Sequence, residues 1–115
     1  MTQKSFKAVT QELSKGLAQF RVQVPDVQAG FSALHQASMK DGALDAKTKE
    51  LIALAIGVAA RCDGCIGFHT QALIKLGVNK AELAEMLGVA VMMGGGPSLM
   101  YAGEAMRAYE EFGGQ

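Results

Sequence analysis

The stretch DAKTKELIALAIGVAARCDGCIGFH, Asp45 to His69, decides the fold. Asp45 is a helix N-cap residue type, and the turn after it is polar, with Lys47, Lys49 and Glu50. Leu51 to Ala60 then form the longest apolar run of the chain, ten residues. That is about half a membrane span, so the run predicts a buried helix, apolar all round. Cys62-Asp-Gly-Cys65 breaks it and opens the next helix, which stops at Gly77. A connection this short predicts that the two helices pack antiparallel.

The same punctuation extends outward. Upstream, a helix near Lys4 to Phe20 carries Phe6, Val9, Leu13, Leu17 and Phe20 in one apolar stripe. Pro25 opens a second helix and Gly42 lies just past its end. Downstream, Asn79 and Glu82 have capping-box spacing and start a fifth helix. Gly94-Gly-Gly-Pro97 ends that helix and starts a sixth, which runs to about Phe112. Valine, isoleucine and threonine together number only sixteen and no segment alternates with period two, so no sheet is expected. Eighteen alanines, fourteen glycines, seven methionines and no tryptophan describe closely packed helices with small contact residues. The fold class predicted is all-α: a compact bundle of about six helices, one domain over residues 1–115.

Eleven basic side chains balance eleven acidic ones, and no Lys/Arg run appears. This removes the electrostatic footprint of a nucleic-acid binder. No apolar run follows the charged N-terminus, so no signal peptide or membrane partner is expected and the cytoplasm is the default location. Half the residues are hydrophobic in a chain of only 115. A domain this small has much surface for its volume, which predicts that apolar surface faces another copy of the chain in a homo-oligomer.

The chemistry lies on the fourth helix. The only two cysteines are three positions apart, Cys62 and Cys65, at a helix start. Unsatisfied backbone N–H groups and the positive end of the helix dipole favour thiolate there. His69 follows Cys65 by four positions and so shares its face. Cys62, Cys65, His69, Ala72 and Leu76 form one stripe, expected to be the inward one because Asp63, Gln71 and Lys75 fall elsewhere. In such a site His69 takes the proton of Cys65, the thiolate attacks an electrophile, and Cys62 resolves the product as a disulfide. The pattern has other readings. A Cys-x-x-Cys can be half a zinc site, although the only other histidine is His35. Two inert core thiols are the second alternative. Haem attachment fails, because Ile66 stands where histidine is required. Nothing in the pattern asks for a cofactor.

Glu50 is the last charge before the apolar run, twelve positions ahead of Cys62. Taken alone it reads as an exposed first-turn glutamate favoured by the helix dipole. In a hairpin, the rise per residue leaves it offset from His69 by roughly 6 Å along the axis, so contact would need a bridging water or a steep crossing. Gly94 to Gly96 read as a helix–helix turn, since a phosphate loop would need a lysine or a preceding strand. Met92, Met93, Met100 and Met106 read as adaptable packing. His35 reads as structural or surface.

Glu50 followed by Arg61-Cys62-Asp-Gly-Cys65-Ile-Gly-Phe-His69 resembles the signature of the alkylhydroperoxidase AhpD-like proteins, within the carboxymuconolactone decarboxylase superfamily. The similarity of helix order covers about Val27 to Tyr109, with the first helix outside it. The resemblance implies a small all-α fold assembling as trimers or hexamers. It also implies a thiol-dependent hydroperoxide reductase with Cys65 as peroxidatic thiol, Cys62 as resolving thiol, and His69 with Glu50 as a water-assisted proton relay. The partners implied are a small hydroperoxide and an external dithiol reductant, lipoyl or thioredoxin-like. Gly64 stands where the family's prototype has a histidine, and this chain holds one helical unit where the prototype has two. Three other functions follow in order: protein or lipoyl disulfide exchange, a non-enzymatic helical assembly, and decarboxylation, whose family members lack the paired cysteines.

Overall fold

The computed structural model describes residues 4–115. Residues 1–3, part of the stretch read above for a leader, lie outside the described residues. Six helices follow one another: α1 (Phe6–Gln23), α2 (Pro25–Met39), α3 (Ala46–Ala59), α4 (Asp63–Lys75), α5 (Lys80–Gly94) and α6 (Gly96–Glu111). There is no strand among the described residues.

Local chemistry sets the boundaries. The Asp45 carboxylate accepts from the Thr48 amide at 2.8 Å and caps α3. Asn79 and Glu82 form a complete capping box at the start of α5, with bonds of 2.8 and 3.0 Å. Pro25 occupies the first turn of α2, and Gly77 takes a φ of +81° just past α4. The first helix begins at Ser5, whose hydroxyl accepts from the Ala8 amide, and runs to Gln23, three residues beyond the expected end.

Two antiparallel hairpins, α3–α4 and α5–α6, make the body, and α1 lies against α4 and α6. Phe6, Leu54, Val58, Ile66, Leu73, Leu83, Leu87, Ala105 and Tyr109 are buried between them. The predicted stripe of α1 divides in two. Phe6 is fully buried and Val9 half-buried, whereas Leu13, Leu17 and Phe20 are exposed. The reason is that α2 touches only α1 and α3 and buries none of its own residues. Phe31 and Leu34 are about two-thirds exposed on it. The α3 run is likewise not buried all round, because Ile52 and Ile56 face outward.

The inward face of α4 also differs from the prediction. Ile66, Gly67, Thr70 and Leu73 are the buried residues. Cys62, Cys65, His69 and Ala72 lie half-buried beside them, and Leu76 is exposed. Gly64 and Gly67 explain the shift. A Cβ at Gly64 would stand 2.6 Å from the Leu13 side chain, and one at Gly67 would stand 2.6 Å from that of Thr10. Glycine admits α1 to this side of α4, and α1 buries it.

Candidate active site

The site begins with the end of α3. Cys62 N–H donates to the Gly57 carbonyl at 3.0 Å and Arg61 N–H to that of Val58 at 3.1 Å, the pair of bonds that defines a Schellman motif. Arg61 occupies its left-handed position at φ 56°, where glycine is the usual residue. Cys62 is then at once the last residue of this motif and the N-cap of α4: its sulfur accepts from the Cys65 amide at 3.2 Å. A turn this tight brings α4 straight back along α3.

Within that turn Cys62 and Cys65 are joined as a disulfide, with their Cα atoms 5.2 Å apart. Gly57 makes the room. A Cβ there would stand 2.9 Å from the Cys65 Cβ, closer than such atoms pack. No reading of the cysteines alone points to Gly57, but a signal exists. It is the one glycine inside the apolar helix run, where glycine costs about 1 kcal/mol against alanine and so marks a close approach.

One turn further along α4, His69 Nδ1 lies 2.6 Å from Glu50 Oε2. Glu50 is not the exposed first-turn residue of the simplest reading, since only 7% of its side chain is accessible. Nor does the contact need a bridging water. The axial offset counted backbone rise alone, and the two side chains reach across it. A carboxylate accepting from Nδ1–H leaves Nε2 as the ring's free basic nitrogen. The His69 side chain is 24% accessible, so the ring is held from inside and reachable from outside.

Asp63, between the cysteines, is held by Lys4, whose Nζ lies 3.2 Å from each carboxylate oxygen and 3.3 Å from Glu104 Oε2. Burial works to lower the Lys4 pKa, but the hydrogen bonds and charges of Asp63 and Glu104 raise it above the ordinary lysine value. Neither Lys4 nor Asp63 stood out in the sequence, because the partners are 59 positions apart. His35, the other histidine, is exposed on α2. Among the described residues no three of His, Cys, Asp and Glu come together as a metal-binding set.

A bundle of six helices with a Cys-x-x-Cys at a helix start, and beside it a half-buried histidine held by a buried glutamate, defines a small all-α protein with a paired-cysteine site. The model of the carboxymuconolactone decarboxylase family matches residues 25–108, and the chain belongs to that family. An uncharacterised protein of Cupriavidus necator is 38% identical over 86 residues, which cover 75% of this chain and 76% of that one. A crystallised apo protein of the same family from Legionella pneumophila is 59% identical and superposes with a TM-score of 0.92, over 93% of this chain and 96% of that one. A Thermotoga maritima family member, for which a part in an antioxidative response has been suggested, is 30% identical with a TM-score of 0.74, over 94% and 89% of the two chains.

Proposed function

We propose that this protein, one all-α unit along its length, is a thiol-dependent hydroperoxide reductase. The observation that carries the proposal is the pairing of two half-buried cysteines at the start of α4, one turn from a histidine that a buried glutamate orients. With the disulfide reduced, His69 takes the Cys65 proton and the thiolate attacks the terminal oxygen of ROOH. The O–O bond breaks, Cys65 becomes a sulfenic acid, and ROH leaves with the proton from His69. The Cys62 thiol then attacks the sulfenic sulfur, water leaves, and the disulfide returns. An external dithiol of the lipoyl or thioredoxin type reduces it and is itself oxidised.

The antioxidative role suggested for the Thermotoga relative supports this assignment. A reducing compartment such as the cytoplasm suits it, because disulfides there are mostly transient and catalytic. The exposed apolar residues of α1 and α2 and of the outer face of α3 support assembly with further copies, as a trimer or hexamer.

Substitution of each cysteine tests the mechanism. Cys65→Ser abolishes peroxide consumption, and Cys62→Ser leaves a sulfenic acid that a dimedone-type reagent traps. Full turnover in both variants overturns the mechanism. Inertness to hydroperoxide with rapid reaction toward a lipoyl disulfide would replace it with disulfide exchange.

A further inference from the structure

We propose that Lys4 is a positioning residue that compensates the Asp63 charge and so sets the reactivity of the dithiol. The inference rests on the hydroperoxide reductase reading only in taking the reduced cysteines as the working state. Asp63 is the first residue of α4, bonded directly to Cys62 and two positions before Cys65. A carboxylate there opposes a thiolate at either cysteine and offsets the help of the helix dipole. Among the described residues, Lys4 is the only cation within ion-pair distance of Asp63, and it meets both carboxylate oxygens at 3.2 Å.

Lys4 is not a freely moving surface lysine. Its carbonyl accepts from Arg107 Nη2 at 2.6 Å, and its ammonium is shared with Glu104 Oε2 at 3.3 Å. The next residues are fixed as well. The Glu111 carboxylate accepts from the Ser5 hydroxyl at 2.5 Å and from the Phe6 amide at 2.7 Å. The end of α6 thus clamps the segment Lys4–Phe6, and that segment delivers a positive charge to the centre of the Cys-x-x-Cys. Electrons and atoms of the proposed reaction are unchanged by Lys4. It acts only on how easily a sulfur holds negative charge.

The test is the pH profile of alkylation of the reduced full-length protein by iodoacetamide, at low and at high salt. Lys4→Met leaves Asp63 uncompensated and moves the thiolate midpoint up by about half a unit or more at low salt, which slows alkylation below the midpoint about threefold. Asp63→Asn moves the midpoint down. The double variant, Lys4→Met with Asp63→Asn, returns near the original, and Lys4→Arg keeps the original profile. All of these shifts shrink toward about 1 M salt, where a packing effect would persist. Glu50 and Arg61 on the α3 side, Lys7 and Lys15 on α1, Arg107 on α6 and His69 on α4 itself stay constant throughout. Glu104 also loses Lys4 but keeps its pair with Arg107 at 2.7 Å, and Asp63→Asn and the double variant separate the Asp63 contribution from that loss. An unmoved midpoint in Lys4→Met overturns the inference, and so does a double variant that behaves like Lys4→Met alone. If Lys4→Met does not fold, an unmoved Asp63→Asn profile overturns it alone. The readout uses no peroxide, so failure of the reductase assignment would appear separately as thiols that alkylate normally but ignore hydroperoxide.

Discussion

The Glu50 carboxylate meets the His69 ring at 2.6 Å from nineteen positions away, the one buried acid on α3 against the one histidine on α4. Because Glu50 occupies Nδ1, the ring presents a single nitrogen for proton transfer. Glu50→Gln keeps an acceptor for Nδ1–H but removes the charge that stabilises the ring when it carries a second proton. Peroxide turnover should fall by about tenfold or more, with unchanged helix content by far-UV circular dichroism. Full turnover in Glu50→Gln would remove the glutamate from the relay.

Replacing the base itself isolates its role. His69→Ala should raise the pH needed for alkylation of the reduced thiols and lower turnover by about a hundredfold or more. An alkylation profile that coincides with that of the unsubstituted protein contradicts the assignment of His69.

The close approach of α3 and α4 is carried by Gly57. Gly57→Ala places a methyl group 2.9 Å from the Cys65 Cβ, in a turn where neither backbone can easily yield. Overpacking of this kind costs about 1–3 kcal/mol, which for a domain of this size lowers the melting temperature by about 4 °C or more. A thermal melt that does not move would show that the hairpin can open without cost.

Arg61 holds a left-handed conformation that glycine adopts freely. Releasing that strain is worth about 1–2 kcal/mol, and the greater freedom of glycine in the unfolded chain offsets about half. Arg61→Gly should therefore raise stability by about 0.5–1 kcal/mol in denaturant unfolding. A loss of stability would mean that the guanidinium makes contacts that outweigh the strain.

The clamp of Glu111 on Ser5 and Phe6 has a pH signature. The Ser5 hydroxyl is the main cause that holds the Glu111 carboxyl below the ordinary glutamate value; burial opposes it, and the Phe6 and Lys7 amides add to it. A carboxyl depressed in the folded state adds stability above its unfolded pKa and loses it as pH falls through the folded one. Unfolding free energy should accordingly decline from about pH 5 downward, and Glu111→Gln should flatten part of that decline. Parallel acid profiles for the two proteins would exclude the clamp as a contributor.

The helix boundaries were legible because their signals are local. Asp45, the Asn79–Glu82 box, Gly77 and the cysteine pair each act within one turn of the residue they cap. The candidate residues Cys62, Cys65 and His69 were legible by type and spacing, and the family resemblance added Glu50 as a candidate. Depth was not legible. A helical wheel treats Gly64 and Gly67 as neutral, yet those positions admit α1 and make their side of α4 the buried one. Periodicity found the α1 stripe but could not say that α2 leaves most of it uncovered. The pairs Lys4–Asp63 and Phe6–Glu111 are 59 and 105 positions apart, and no local pattern announces either.

The most direct measurement is a free-thiol count on fully reduced protein before and after one equivalent of an alkyl hydroperoxide. Two thiols should disappear per chain, with one equivalent of the alcohol formed and an intramolecular Cys62–Cys65 disulfide identified by peptide mapping. Two thiols remaining beside unconsumed hydroperoxide would contradict the account.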